Sequence, residues 1–483
     1  MAQQKPKMND MLVVLPGITG SVLEKQGVTY WGPAPRGILN YVTSSGHTID
    51  ALRLARDDPD YDDGIRATRL VPYTLAPGLA SFDGYTGIKT HLLARLQLSP
   101  GDAGKEDGPA ANYFEFPYDW RRDNRLIASR LRALIDRELP KWRRHTDNPD
   151  AKVIFLAHSM GGLIARYYVE VLKGFRDTKA LITFGTPHRG SINAIDYLAN
   201  GYRKAGISLG RLTSVMRSLP SVYQLLPRYR AVRDAQGLWT KVSETDIRNI
   251  DRAKALDAAR FYSEIDENYE ANRKVDGYDV ELLPIFGWGH QTLQSAFVKP
   301  DRSVEVRNNV LPPDVEDVFQ NGDGTVPRVS AIPIELNAKP PRWWPVNQKH
   351  ATIQNNKILI ENLAQVLAAL QGKLAVPARA LPAAEDDRGL ELQVDQIFSS
   401  DEPVAMTVKL NSKQDPGGVS VAVQSVSDTG VHTVPLKETG GAWSGEVAGL
   451  PPGTYRASVQ LEHPAAGPPD AVSDMFEVLR QDS

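Results

Sequence analysis

The sequence predicts a parallel α/β domain followed by an all-β sandwich, and three observations carry that expectation. Short continuous apolar runs alternate with one-sided helical patterns as far as about residue 370. Residues 373–389, rich in Pro, Ala and acid, have the composition of a linker. Beyond them the hydrophobic pattern changes to period two, with turn signals between short runs.

In chain order, MLVVL at 11–15 reads as a buried strand broken by Pro16-Gly17, and residues 153–156 and 181–184 read the same way. Asp123 can cap a helix whose Leu126, Ile127, Leu131, Leu134, Ile135 and Leu139 share a face. Residues 163–172, closed by Gly174, form another. Residues 195–280 interrupt the alternation, loop-rich and then helical over 253–272, and are expected to be a cap inserted over the sheet. A strand follows at 282–286, and the apolar-faced stretch 352–370 closes the domain. The expected division is an α/β domain over 1–372, a linker over 373–389 and a sandwich of immunoglobulin-like or fibronectin-like type over 390–483. Seven strands are expected in the sandwich: LELQVDQIF, VAMTVKL, VSVAVQSV, VHTVPLK, WSGEVAGL, TYRASVQLE and MFEVL.

Composition excludes several functions. The 483 residues carry Lys+Arg 56 against Asp+Glu 58, a balance that argues against nucleic acid as a partner. With no cysteine, disulfides, thiolate catalysis and Cys-ligated metals are excluded, and no pattern calls for a metal or cofactor. The five-residue run at 11–15 is too short for the apolar core of a signal peptide, and no run approaches a membrane span, so a cytoplasmic protein is expected.

Chemistry centres on AHSMG at 157–161. A serine hydroxyl needs a neighbouring base and donors for the developing oxyanion. The nucleophile elbow of α/β-hydrolases supplies both at a strand-to-helix turn written G-x-S-x-G. Here Ala157 replaces the first glycine, a strand pattern precedes Ser159 and a helical one follows it. The structural alternative is a helix N-cap serine beside a packing Gly-Gly pair.

The elbow's partners should follow in the order acid, then histidine, at strand ends. Asp323 in QNGDGTVPR suits an orienting carboxylate, although an Asp-Gly turn explains it equally well; Asp314 and Asp317 are rivals in an ordinary acidic loop. His350 stands directly before the closing helix, where the base belongs. His188 and His290 break the chain order and become candidates for lining the pocket. The oxyanion hole takes one backbone N–H from Met160 and one from the loop after the first strand, at Ile18; a Pro-Gly turn is the alternative there.

Together these motifs resemble the lecithin:cholesterol acyltransferase family, which includes phospholipid:diacylglycerol acyltransferases and bacterial esterases and phospholipases. The resemblance runs from about residue 12 to 370, through LVVLPGITGSVLE, FPYDWRRD, AHSMGGLIARYY, FGTPHRGS, SLPSVYQLLP, NGDGTVPR and His350. It implies an α/β-hydrolase core with Ser159 as nucleophile, Asp323 as acid, His350 as base, and Ile18 with Met160 as oxyanion donors. It also implies that Tyr118-Asp119-Trp120-Arg121 is structural, and that Trp31 lies near a lid and contacts acyl chains. The sequence has no cysteine for the disulfides of the secreted members and no signal peptide is expected, strands that open a full hydrolase sheet are expected to be absent, and the sandwich lies outside the family's core.

The expected reaction is acyl transfer from a lipid or phospholipid ester through an acyl-enzyme, to water or to an alcohol. A carboxylesterase for small soluble esters and a non-catalytic scaffold that binds through its sandwich are the alternatives. Over residues 195–243 eight basic residues, Arg203, Lys204, Arg211 and Arg228 among them, face two acidic ones, which suits an anionic membrane surface as well as a solvated face. Trp343 and Trp344 read as packing residues.

Overall fold

The structure is a computed structural model that describes residues 5–33, 46–77, 79–202, 204, 209–337, 343–371, 389–410, 416–463 and 472–480. Of the expected linker, only Gly389 falls among them.

Six strands form the central sheet: β1 (Met11–Leu15), β2 (Tyr113–Glu115), β3 (Val153–His158), β4 (Thr178–Phe184), β5 (Glu281–Gly287) and β6 (Trp344–Val346). Their order is β6-β5-β4-β3-β1-β2 and every pairing is parallel. Covered on both faces, a parallel sheet must be apolar throughout, and all six residues of β3 are buried. The three-residue edge strands β2 and β6 carry no readable pattern. They exist through pairing, Leu12 with Tyr113 and Ile285 with Trp344.

Helices α1 (Thr86–Arg95), α2 (Asn124–Thr146), α3 (Met160–Glu170), α4 (Ile192–Asn200), α5 (Arg252–Asn272) and α6 (Lys357–Gln371) surround the sheet. The Asp123 side chain caps α2 by accepting from Arg125 N at 2.7 Å. That helix continues past Pro140 because Trp142 extends its buried face and donates to Asn9 O at 2.7 Å. At the closing helix, a 3₁₀ turn at Ile353–Asn355 precedes α6.

The insertion differs from expectation at both ends. Helix α5 stacks its Phe261 on Tyr167 of α3, ring centroids 5.4 Å apart, and so is the crossover helix between β4 and β5. Conversely, Val232–Arg233 pairs with Trp239–Thr240 and with Ser295–Val298, which pairs in turn with Val304–Arg307. This four-stranded ribbon joins residues from both sides of β5, a non-local pairing no run of sequence reveals.

The C-terminal strands are β7 (Leu390–Val394), β8 (Ile397–Ser399), β9 (Val404–Leu410), β10 (Val419–Ser425), β11 (Val431–Pro435), β12 (Lys437–Thr439), β13 (Ala442–Val447), β14 (Gly453–Leu461) and β15 (Ser473–Leu479). They form sheets β7-β9-β13-β12 and β8-β15-β14-β10-β11, antiparallel except for β8 beside β15. The stretch LELQVDQIF splits between the two sheets. Phe476 and Val478 of β15 belong to the sandwich core, whereas Met475, Leu479 and Ile397 join the core of the α/β part. Among the described residues, no helix is long and apolar enough to cross a membrane.

Candidate active site

Ser159 sits between β3 and α3 with φ 51° and ψ −126°, a conformation non-glycine residues adopt only when their surroundings impose it. The surroundings are tight here. Ser159 N donates to Phe184 O at 2.9 Å, and a methyl group on Gly161 would run into the carbonyl oxygen of Pro16. The Ser159 side chain makes no capping hydrogen bond to α3, so the helix-cap alternative lacks its defining bond. Met160 N–H is the first of the helix, one of the donors that helix geometry leaves free.

Ser159 Oγ lies 3.1 Å from His350 Nε2, and His350 Nδ1 lies 2.7 Å from Asp323 Oδ2. Because an ionised carboxylate can only accept, Nδ1 carries the proton and Nε2 offers its lone pair to the Ser159 hydroxyl. The other oxygen of Asp323 accepts from Thr325 N at 2.9 Å and Val326 N at 2.7 Å, which fixes the carboxylate plane. His350 N also donates to Asp323 O at 2.9 Å. Gly185, at φ 55°, leaves room for the pair: a Cβ there would stand 2.8 Å from His350 Nδ1. All three side chains are buried, with 5% of Ser159 exposed.

The loop after β1 is braced from several directions. Tyr118 Oη donates to Pro16 O at 2.7 Å, and Trp120 Nε1 to Ser21 O at 3.2 Å. Gly17 N donates to Tyr85 Oη at 2.7 Å, and Tyr85 Oη lies 2.9 Å from His158 Nδ1. His158 Nε2 faces His350 O at 3.3 Å. A proton on Nε2 satisfies that carbonyl and leaves Nδ1 to accept from the tyrosine. Burial, then the neighbouring His350, pushes the His158 pKa well below its ordinary value, so the ring is neutral. A continuous chain of hydrogen bonds thus runs from the Ile18 loop to the backbone of His350.

Residues 106–282 match the family described as lecithin:cholesterol acyltransferase. The chain resembles that family. The matched stretch holds the elbow and both FPYDWRRD and FGTPHRGS, while Ile18, Asp323 and His350 lie outside it. Two solved structures also align with the chain, both of the Bacillus licheniformis lipase BlEst2. The mature form has 12% identity and a TM-score of 0.30, covering 75% of this chain and 92% of that one. The propeptide form has 11% identity and a TM-score of 0.33, covering 98% and 93%. No curated protein matches the sequence.

The resemblance to the acyltransferase family led to Trp31 as an acyl contact, but its side chain is fully buried. Its Nε1 donates to Thr19 O at 2.9 Å and its ring meets Trp120 edge-on, so it supports the loop next to Ile18 from behind. His290 is likewise buried; its ring nitrogens have no hydrogen-bond partner among the described residues, and its backbone bridges to Gly322 beside Asp323. It backs the acid loop instead of lining a pocket. His188 lies 3.3 Å from Thr183 Oγ1 and borders a narrow cavity with Leu163, Arg166 and Tyr262. The rival Asp314 is an exposed partner of Arg230 at 2.6 Å.

The basic excess of residues 195–243 is partly offset from outside that stretch. Arg228 pairs with Asp266, Arg230 with Asp314, and Lys204 with Glu402 at 2.6 Å. Arg203 lies outside the described residues. Trp343 and Trp344 are both buried. Tyr85 and His158 were missed as site residues, because nothing in spacing or composition marks a tyrosine whose partners lie far away in the chain.

Proposed function

We propose that the chain is a serine esterase or acyltransferase acting on carboxylic esters, with Ser159 as nucleophile, His350 as base and Asp323 as the orienting acid. The observation that carries the reading is the hydrogen-bonded series Ser159–His350–Asp323 at a strand-to-helix elbow, at 3.1 and 2.7 Å. His350 takes the hydroxyl proton as Oγ adds to the ester carbonyl. The N–H groups of Met160 and Ile18 receive the oxyanion, whose collapse expels the alcohol with the proton from His350 and leaves an acyl-enzyme. Water or a second alcohol, deprotonated by His350, then takes the acyl group. Residues 1–372 form the catalytic domain on this reading, with His188 beside the acyl path and the sandwich over 390–483 attached.

Lipid esters are the proposed substrate class, supported by the match of residues 106–282 to an acyltransferase family and by a nucleophile that is 5% exposed. Ser159→Ala is expected to lower turnover by at least ~10⁴-fold with the fold intact by circular dichroism. A 4-nitrophenyl ester series from acetate to palmitate, with and without vesicles, decides the substrate class. Preference for short chains without stimulation by the interface would replace the lipid reading with a small-ester carboxylesterase.

A further inference from the structure

The loop that carries His350 is held on one side by the C-terminal strands. Lys349 Nζ lies 3.1 Å from Asp474 Oδ2 of β15, with 16% and 9% of the two side chains exposed. Thr352 Oγ1 donates to Ser473 O at 3.0 Å. Leu390 N of β7 donates to Asn347 Oδ1 at 2.9 Å. Arg456 of β14 pairs with Asp83, whose backbone N donates to Ala351 O at 2.7 Å. Four contacts from three strands therefore fall on, or one residue removed from, the stretch 347–352. The stem of Lys349 also lies over Gly324, with Cδ 3.4 Å from where a Cβ would stand, next to Asp323.

This arrangement has no counterpart in what the reaction needs from the α/β part alone. Asp323 and the Tyr85–His158 chain hold His350 from within that part. Among the described residues no charged group of the central sheet pairs with Lys349, and a largely buried cation beside the base requires a fixed counter-charge. The loop is buried, with Ala351 and Ile353 in the core of the α/β part, so a shift in the contacts at 347, 349 and 352 is passed to the imidazole between them.

We propose that the C-terminal sandwich is a positioning element of the active site, holding the His350 loop in register with Ser159, and that Asp474 acts through Lys349 as its positioning residue. The inference rests on the esterase reading above. Misplacing a base by about 1 Å costs on the order of 10²-fold in rate, so the contact is read in kcat and not in substrate binding.

The test uses the full chain, 4-nitrophenyl butyrate as substrate and a fluorophosphonate probe that labels an activated serine. Asp474→Asn keeps the size of the side chain and an acceptor for Met475 N, which now donates to Asp474 Oδ1 at 2.9 Å. It is expected to lower kcat and the labelling rate together by roughly 10–10²-fold, leaving KM unchanged. The exchanged pair K349D/D474K should recover most of both rates. Thr352→Val, which removes no charge, serves if Asp474→Asn does not fold, and a smaller loss in the same two rates is expected. Wild-type rates in the folded single variants, or an exchanged pair that folds yet recovers nothing, would overturn the inference while leaving Ser159 assigned. A wild-type chain that neither turns over the ester nor takes up the probe would overturn the esterase reading, and this inference with it.

Discussion

At Tyr85 one hydroxyl serves two partners, accepting from Gly17 N–H at 2.7 Å and donating to His158 Nδ1 at 2.9 Å. The group is fully buried, and burial drives its pKa well above the ordinary tyrosine value, so it remains a neutral donor. Tyr85→Phe strands a buried N–H and a buried ring nitrogen, at a cost of about 1–3 kcal/mol each. Thermal melting should register that loss, and turnover should fall with it because the Ile18 loop is released. An unchanged melting temperature would mean that other groups satisfy the two partners. The proposed nucleophile, acid and base, Ser159, Asp323 and His350, could be picked out because they come in the order the chemistry requires, near glycines or a helix start. Tyr85 could not, since its role depends on three segments meeting.

Among elements, the elbow shows how close approach substitutes for specific bonds. The turn lets α3 start against the loop after β1, with Gly161 facing the Pro16 carbonyl. Gly161→Ala has to push the helix or the loop aside, because a backbone carbonyl cannot rotate away as a side chain can. Overpacking of that kind costs about 1–3 kcal/mol. Both stability and ester turnover are therefore expected to fall, read by melting and by initial rates; a variant that melts like wild type with full turnover would show that the two elements are not tightly coupled. Strands β1, β3, β4 and β5 were readable as apolar runs, whereas β2 and β6 were not, for three residues at a sheet edge have no periodicity to display. The charge excess over 195–243 is smaller in space than along the chain, since Asp266, Asp314 and Glu402 pair with three of its basic residues.

For the molecule as a whole, three interior histidines set a pH dependence. Burial is the first cause that pushes His158, His188 and His290 well below 6.5; His350 adds to it for the first, Arg166, Arg189 and Arg228 for the second, and Lys349 for the third. With a folded pKa below the unfolded one, the unfolded chain binds protons that the native chain refuses as pH falls past 6.5. Stability is full above that value and declines below it, by up to about 1.4 kcal/mol per pH unit for each histidine. Melting temperatures measured from about pH 7.5 to about pH 5 should fall steeply over the lower half of that range. A flat profile would show that the folded chain protonates these rings as readily as the unfolded chain does.

The sequence by itself determined the order of β and α elements and the change to an all-β segment, and it named the serine, acid and histidine of the proposed triad. Those signals are local: burial periodicity and turn chemistry need only neighbours along the chain. Only the tertiary structure decided that α5 crosses over between β4 and β5, that Trp31 and His290 face inward, and that Asp474 meets Lys349. Each is a contact between distant segments, and no residue's own propensity records which surface it will be packed against.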